Sequence, residues 1–422
     1  MMAFRILLMS LSIFFTIATG AYSQIKLPDV TGPIIQRIPI FIPDLSSIGS
    51  ADPRGREFAE VLRNDLENAA LFEVSAGGQV IGDVNNISFQ AFFDAGADYL
   101  IAGQYQSSGG KLKYAVQLFN VREERPILGR SYEATPGKVR EAAHRFADLV
   151  MKQITGNDGF FTSRIAFVLG GTRSRNLFIM DYDGANMKQL TRHSSLIMSP
   201  DCSPNGNEII FNSDKVWDQD LYIMTLSPSV SERRLTRAFK LEQTGAWSPS
   251  GSRIAFSANG DIYVSDASGK KPVNITRSNS IDVSPTWSPD GGSIAFVSDR
   301  GGNPGIYVMT ASGSGVRKIS SGGYSTDPSW SPNAQVNKIA FVKVEGGGAS
   351  IFTVNPDGSG EQRLTSGSRN ENPGWSPDGH YIAFSSTRNA AKDIYIMYVN
   401  GENQRRLSQG GGKSFPTWCR SQ

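Results

Sequence analysis

Residues able to do chemistry are few in this sequence and lie far apart. The histidines are His144, His193 and His380, and the cysteines are Cys202 and Cys419. No His-x-Glu-x-His-like cluster and no Cys-x-x-Cys pair gathers them, so a transition-metal site lacks ligands. No Gly-x-Ser-x-Gly elbow offers a serine nucleophile. No Gly-x-x-x-x-Gly-Lys-Ser or -Thr loop follows a strand to cradle phosphate: before Gly412-Lys413-Ser414 the first glycine position is Leu407. Glycine triplets at 346–348 and 410–412 fall in turns and read as structural. His144 lies on a charge-rich helix, where a solvated side chain is expected. His193 and His380 lie in separate turns. Asp183, Asp290, Asp357 and Asp378 recur because Asp suits turns by bonding its own backbone. A cation held by such aspartates would be structural or adventitious. This pattern calls for no catalytic residue and no cofactor.

What positions these residues is a repeat. Its unit reads as a Trp-Ser-Pro turn, an Ile-Ala-Phe strand, an Ile-Tyr-Val-Met strand, a polar turn and a Leu-Thr strand. The Trp position falls at Cys202, Trp247, Trp287, Trp330, Trp375 and Trp418, at intervals of 45, 40, 43, 45 and 43 residues. That period suits a four-stranded propeller blade. Ser288-Pro289-Asp290-Gly291 and Ser376-Pro377-Asp378-Gly379 are turn sequences in which proline presets φ and glycine accepts φ above zero. Runs such as Ile254-Ala255-Phe256 and Ile294-Ala295-Phe296 are apolar at consecutive positions, as in a strand buried on both faces. Outer strands are expected to begin near Leu190-Thr191, Leu235-Thr236, Ile275-Thr276, Ile319-Ser320, Leu364-Thr365 and Leu407-Ser408.

The phase of the repeat matters more than its number. The first Ile-Ala-Phe strand, at Ile165, has no Trp-Ser-Pro turn before it. The last Trp, Trp418, has no Ile-Ala-Phe strand after it. One blade is therefore split between the two ends, and Phe415-Pro416-Thr417-Trp418 is expected to complete the blade that begins at Arg164. Such closure removes two exposed sheet edges. The expected fold is mainly β: a six-bladed β-propeller over 159–422, behind a small α/β domain over 24–158. In this ring the two cysteines fall on inner strands of neighbouring blades. A disulfide needs their Cα atoms within about 7 Å, and equivalent inner positions stand too far apart. Two separate buried thiols are expected, although an exported protein could oxidise them.

The first 23 residues read as a secretory signal. Arg5 precedes an apolar run from Ile6 to Ala18, and Ala21 and Ser23 stand in a cleavage frame before Gln24. A membrane span needs about 20 apolar residues, and no later stretch offers that. Formal charge is +3 overall, which gives no basic face for nucleic acid.

In the first domain, Ile38-Pro39-Ile40-Phe41-Ile42 reads as a strand. Asp52-Pro53 caps a helix with Phe58, Leu62 and Leu66 on one face. Phe89–Ala95 reads as a short helix. Strands follow over Tyr99–Gln106, Leu112–Val121 and Ile127–Glu133. A last helix from Pro136 carries Val139, Ala143, Phe146, Val150 and Ile154 on one face, with Gly156 as its cap.

The order of parts resembles the TolB family, the periplasmic component of the Tol-Pal envelope system. The stretch from Phe161 to Phe167, the turn Asp181-Tyr182-Asp183-Gly184, Met198-Ser199-Pro200 and the closing Phe-Pro-Thr-Trp carry the resemblance. The resemblance implies a monomeric, non-enzymatic periplasmic adaptor with no membrane segment. It would bind the lipoprotein Pal through its propeller and TolA through its extreme N-terminus. It would support outer-membrane integrity and constriction during cell division. Other outer-membrane lipoproteins, or colicins, would share the propeller surface. The TolA-binding segment would be Gln24, Ile25, Lys26, Leu27, Asp29 and Val30, although Pro28 and Pro33 limit the strand it can form. Alternatives from other classes are a propeller hydrolase or lyase using the central channel, and a scaffold for an unrelated partner.

The turns before each Trp-Ser-Pro all open on one face of the propeller. They offer His193, Leu241, Glu242, Asp282, Val283, Tyr324, Asp327, Arg369, Asn370 and Lys413. This mixture suits a protein interface on a rigid scaffold, and the resemblance places Pal there. All are expected to be exposed loop positions whose substitution leaves stability unchanged.

Overall fold

The computed structural model describes residues 37–421 apart from 70, 78–80, 85, 217, 237, 238 and 240. The signal reading and the segment Gln24–Val30 lie outside the described residues.

The chain first builds a mixed sheet with helices against it. Its elements are β1 (Ile38–Phe41), β2 (Ser46–Ser47), α1 (Pro53–Asn68), β3 (Phe72–Ser75), α2 (Phe89–Asp94), β4 (Tyr99–Ser108), β5 (Lys111–Asn120), β6 (Arg125–Ala134) and α3 (Val139–Thr155). Sheet order is β3-β1-β4-β5-β6, with β2 beside β4. The short parallel strand β3, with only Phe72 and Val74 as apolar signals, escaped the sequence reading. Asp52 caps α1 by accepting the Arg54 N–H at 3.0 Å. Gly156 ends α3 at φ 78°, with its N–H on Lys152 O at 2.9 Å. That left-handed backbone suits glycine.

Six four-stranded sheets follow. Blade 1 pairs Lys413–Cys419 with Arg164–Gly170, then Arg175–Asp181 and Lys188–Gln189. The closing strand is in antiparallel register, Trp418 opposite Ile165 and Thr417 opposite Ala166. The inner strands of blades 2 to 6 are Ile197–Cys202, Glu242–Trp247, Asp282–Trp287, Tyr324–Trp330 and Asn370–Trp375. All six Ile-(Ala/Ile)-Phe strands have no exposed surface in those three residues. Each blade also repeats one cross-strand aromatic pair. Phe167–Phe178, Phe211–Tyr222, Phe256–Tyr263, Phe296–Tyr307, Phe341–Phe352 and Phe384–Tyr395 have centroids 5.7–6.1 Å apart. Such pairs add about 0.5–1.5 kcal/mol each beyond area burial.

The Leu-Thr motif is not the start of the outer strand. Outer strands are short and end just before it, as at Val273–Asn274 and Arg317–Lys318. The hydroxyl instead accepts a third-strand N–H: Ile262 to Thr276 at 3.0 Å, Ile306 to Ser320 at 3.0 Å, Ile351 to Thr365 at 2.8 Å. It satisfies a backbone donor that the departing strand leaves bare.

Two further expectations are corrected. Cys202 and Cys419 form a disulfide, with Cα atoms 5.2 Å apart. The expectation compared equivalent positions, but Cys419 follows the Trp position by one residue. Successive strand residues face opposite sides, so Cys419 turns toward blade 2, where the indole is replaced by Cys202. His144 is not solvated but 4% exposed. Its Nδ1 lies 2.7 Å from Asp65 Oδ2, and Asp65 accepts the Tyr182 hydroxyl at 2.6 Å. This triad joins α1 and α3 to blade 1, so the helix face that looked solvated is the domain seam. The Tyr381 hydroxyl adds a bond to Ala69 O at 2.7 Å, and Phe160 packs on Tyr381 at 4.3 Å. The linker is held too. Asp148 accepts the Phe161 N–H at 2.8 Å and the Thr162 hydroxyl at 2.6 Å, and burial pushes its carboxyl up to about 6.

Candidate interaction face and central channel

The first domain docks where inner strands end and second strands begin, near Tyr381 and Trp418. Antiparallel strands put the starts of the inner strands at the other end of the ring. That other face carries the residues singled out from the sequence, and the structure divides them by register.

Equivalent positions near the start of the inner strands are Ile197, Glu242, Asp282, Ser325, Asn370 and Lys413, and all six side chains are buried; the ladder begins there except in blade 5, where Tyr324 pairs one residue earlier. Burial leaves Glu242, Asp282, Asn370 and Lys413 nothing to present to a partner, contrary to expectation. Each of the four knits blade edges. Asp282 accepts two bonds from Arg300 at 3.0 Å and one from Ser278 at 2.8 Å. Asn370 accepts from Arg388 at 3.0 Å. Lys413 reaches Asp393 at 3.2 Å, and Asp393 also holds Arg406 and Ser408. Glu242 takes the Thr236 hydroxyl and the Leu221 N–H. In blade 2 it therefore replaces the hydroxyl staple that the other blades take from Leu-Thr. Burial pushes the Glu242 carboxyl up.

One residue earlier the picture reverses. Leu241, Ile281 and Tyr324 are 54%, 59% and 48% exposed, at the same position in three consecutive blades. Arg369 occupies that position in the next blade, exposed and bonded to Glu371 at 2.8 Å. Glu371 in turn meets Lys392 at 2.6 Å. Burial alone would raise the Glu371 carboxyl, but these cations hold it below the usual range. Ile281 is not among the face residues the sequence offers, where the Asp282-Val283 pair stands beside it. His193 is half-buried beside Glu232 at 3.1 Å, and Val283 is half-buried. The face is thus an apolar crescent followed by a charged cluster.

Two residues past each of those buried positions the register slips by a bulge. Ser199, Thr244, Ser284, Asp327, Asn372 and Phe415 all have φ between 43° and 55°. None is glycine, so each costs about 1 kcal/mol or more in backbone strain. The residue after it is proline in five blades and Gly245 in the sixth. These bulges aim six side chains into the central channel, a cavity of about 340 Å³. Its carboxylates are Asp201 and Asp327, three blades apart. Burial raises both, Asp201 to about 7 even though it accepts the Trp247 N–H at 2.8 Å. Asp327 accepts the Asn372 amide at 3.0 Å. Each carboxylate is thus occupied by its own neighbour, and no pair of them converges on a reacting atom.

The histidines remain apart. His380 sits on the opposite face with Asp378 at 3.2 Å. Among the described residues, Asp65, His144 and Asp183 come within metal-ligand spacing of one another. Tyr182 and His144 already engage Asp65, and Arg140 engages Asp183.

A family model described as the TolB beta propeller domain matches residues 151–422, and one described as the TolB amino-terminal domain matches residues 29–127. The chain is 34% identical over 281 residues to a Tol-Pal system protein TolB of Desulfosudis oleivorans, covering 62% of this chain and 63% of that protein. It is 38% identical over 194 residues to that of Geobacter metallireducens, 44% of this chain and 45% of the relative. The crystal structure of TolB from Acinetobacter baumannii superposes with a TM-score of 0.80 at 25% identity, over 91% of this chain and 97% of that one. Both domains match in order, and the propeller match alone spans more than half of the sequence: the chain belongs to the TolB family.

Proposed function

We propose that the protein is a periplasmic adaptor of a Tol-Pal system, exported by its first 23 residues and working by binding other proteins rather than by catalysis. The observation that carries this reading is the crescent of Leu241, Ile281 and Tyr324, one exposed apolar side chain in each of three consecutive blades on the face the first domain leaves open. Contiguous apolar surface with a charged border is what a protein interface needs. The lipoprotein Pal is the partner assigned to this face, with Arg369 at its charged edge. TolA is assigned to Gln24–Val30, as a strand added to a partner sheet. Together these contacts would serve outer-membrane integrity and cell constriction.

Calorimetric titration with the soluble domain of Pal tests the assignment. Tyr324→Ala and Ile281→Ala should each weaken binding by about 1–3 kcal/mol, as for central contacts. Their melting curves should match that of the parent, because both side chains are exposed. Undiminished binding by both variants contradicts the assignment.

A further inference from the structure

A cleft of about 480 Å³ opens at the seam between the two domains. One wall is the first two turns of α3, with Lys138, Arg140, His144 and Arg145. The other is the start of blade 1 at Arg164, with Ser227 of blade 2 beside it. Four cations here, Lys138, Arg140, Arg145 and Arg164, face the carboxylates Glu141 and Asp181, and Arg140 is engaged by Asp183. Glu141 is engaged by Lys138 at 2.5 Å and Arg145 at 2.6 Å, and Asp181 by the Asn186 amide at 2.6 Å.

Three donors are left over. The Arg164 side chain makes no hydrogen bond or ion pair among the described residues, and burial pushes its guanidinium down. His144, 4% exposed, has Nδ1 2.7 Å from Asp65, while its Nε2 has no partner and donates when the imidazole is protonated, a state that Asp65 favours. The helix start has no side-chain cap either, from Thr135 or from Lys138, although the Lys138 N–H is held by Thr135 O at 2.9 Å. Uncapped N–H groups and the helix dipole attract negative charge. A buried donor without a partner costs free energy that a bound acceptor would recover.

We propose that this seam cleft binds a small oxyanion, a phosphate or a carboxylate group, between Arg164, His144 Nε2 and the start of α3. Because its walls come from both domains, an occupied cleft fastens α3 to the propeller. The site lies on the opposite end of the ring from the apolar crescent, and the inference stands whether or not Pal binds there.

The test is calorimetric titration of the full chain with inorganic phosphate and, separately, with succinate, at physiological ionic strength. Saturable one-to-one binding of either anion is expected, at least about tenfold weaker in Arg164→Gln, as for loss of a charge-assisted hydrogen bond. Ser227→Asp, which adds a negative charge to the cleft wall, should abolish binding and serves if Arg164→Gln does not fold. Preference for phosphate would indicate a phosphoryl ligand, and preference for succinate a carboxylate ligand. Absence of saturable binding for both anions overturns the proposal. So does binding that survives unchanged in both variants, since the anion then sits elsewhere.

Discussion

A buried charge in this propeller is legible only through its partner. Asp282, with no exposed surface, matches two nitrogen–oxygen contacts of Arg300 and a serine hydroxyl. Asp282→Ala should cost about 2–3 kcal/mol, less than a fully buried pair because Arg300 stays partly solvated. Denaturant titration checks this, and folded Asp282→Ala protein should bind Pal as the parent does. His144 gives a second prediction at this scale. Burial alone would lower its imidazole, but Asp65 outweighs that and leaves it raised, while burial raises Asp65 too. The pair therefore keeps a proton to higher pH than free imidazole. A raised folded pKa contributes stability that is complete below the free value of about 6.5 and lost as pH rises through the folded value. Melting temperatures should show wild type exceeding His144→Asn most at acidic pH, with the gap closing above neutrality. A constant gap would sink the coupling. The sequence hid this residue because helix periodicity reports one buried face, and α3 has two: Phe146 and Val150 meet the sheet side, while His144 meets blade 1.

Among the elements, the closing strand Lys413–Cys419 bears most on the ring. It completes blade 1 in register, and the disulfide ties it to blade 2 across 217 residues of chain. A crosslink spanning so long a loop contributes up to about 5 kcal/mol in the chain-entropy account. Cys419→Ser should lower the melting temperature under oxidising conditions and behave like the parent under reducing ones. Removing 411–422 should do far more, exposing two sheet edges and producing aggregation. A truncated chain that melts like the intact one would contradict closure. The split blade was legible because the missing Trp at one end and the surplus Trp at the other are a phase signal that no local propensity can mimic. The disulfide was not, since it depends on a one-residue offset between strands. The outer strands were misplaced by a few residues because Leu-Thr looks like a strand start, whereas its hydroxyl serves to end the ladder. Of the ten face residues read from sequence, Leu241, Tyr324 and Arg369 stand exposed. Glu242, Asp282, Asn370 and Lys413 are buried, because polar residues in turns read as solvated until their ion partners are known.

Across the whole molecule, the two ends of the ring have different duties. One end is covered by the first domain through Asp65, Tyr182, Tyr381 and Phe160. The other presents Leu241, Ile281 and Tyr324 to solvent at the entries of the inner strands. Rigid blades with variable entry residues suit selective binding without rearrangement of the scaffold. Deleting Gln24–Val30 should remove TolA binding and leave the melting curve of the propeller unchanged, since the described propeller strands are built from residues between Arg164 and Cys419. The central claim, that the open end is the Pal-binding face, is tested most directly by backbone hydrogen exchange with and without the soluble domain of Pal. The account predicts added protection in the entry segments around 279–283, 321–326 and 366–370, with 266–271, 311–316 and 356–361 at the other end unchanged. Protection confined to the latter segments, or an Asp357→Lys variant that loses Pal while Tyr324→Ala retains it, would contradict the account.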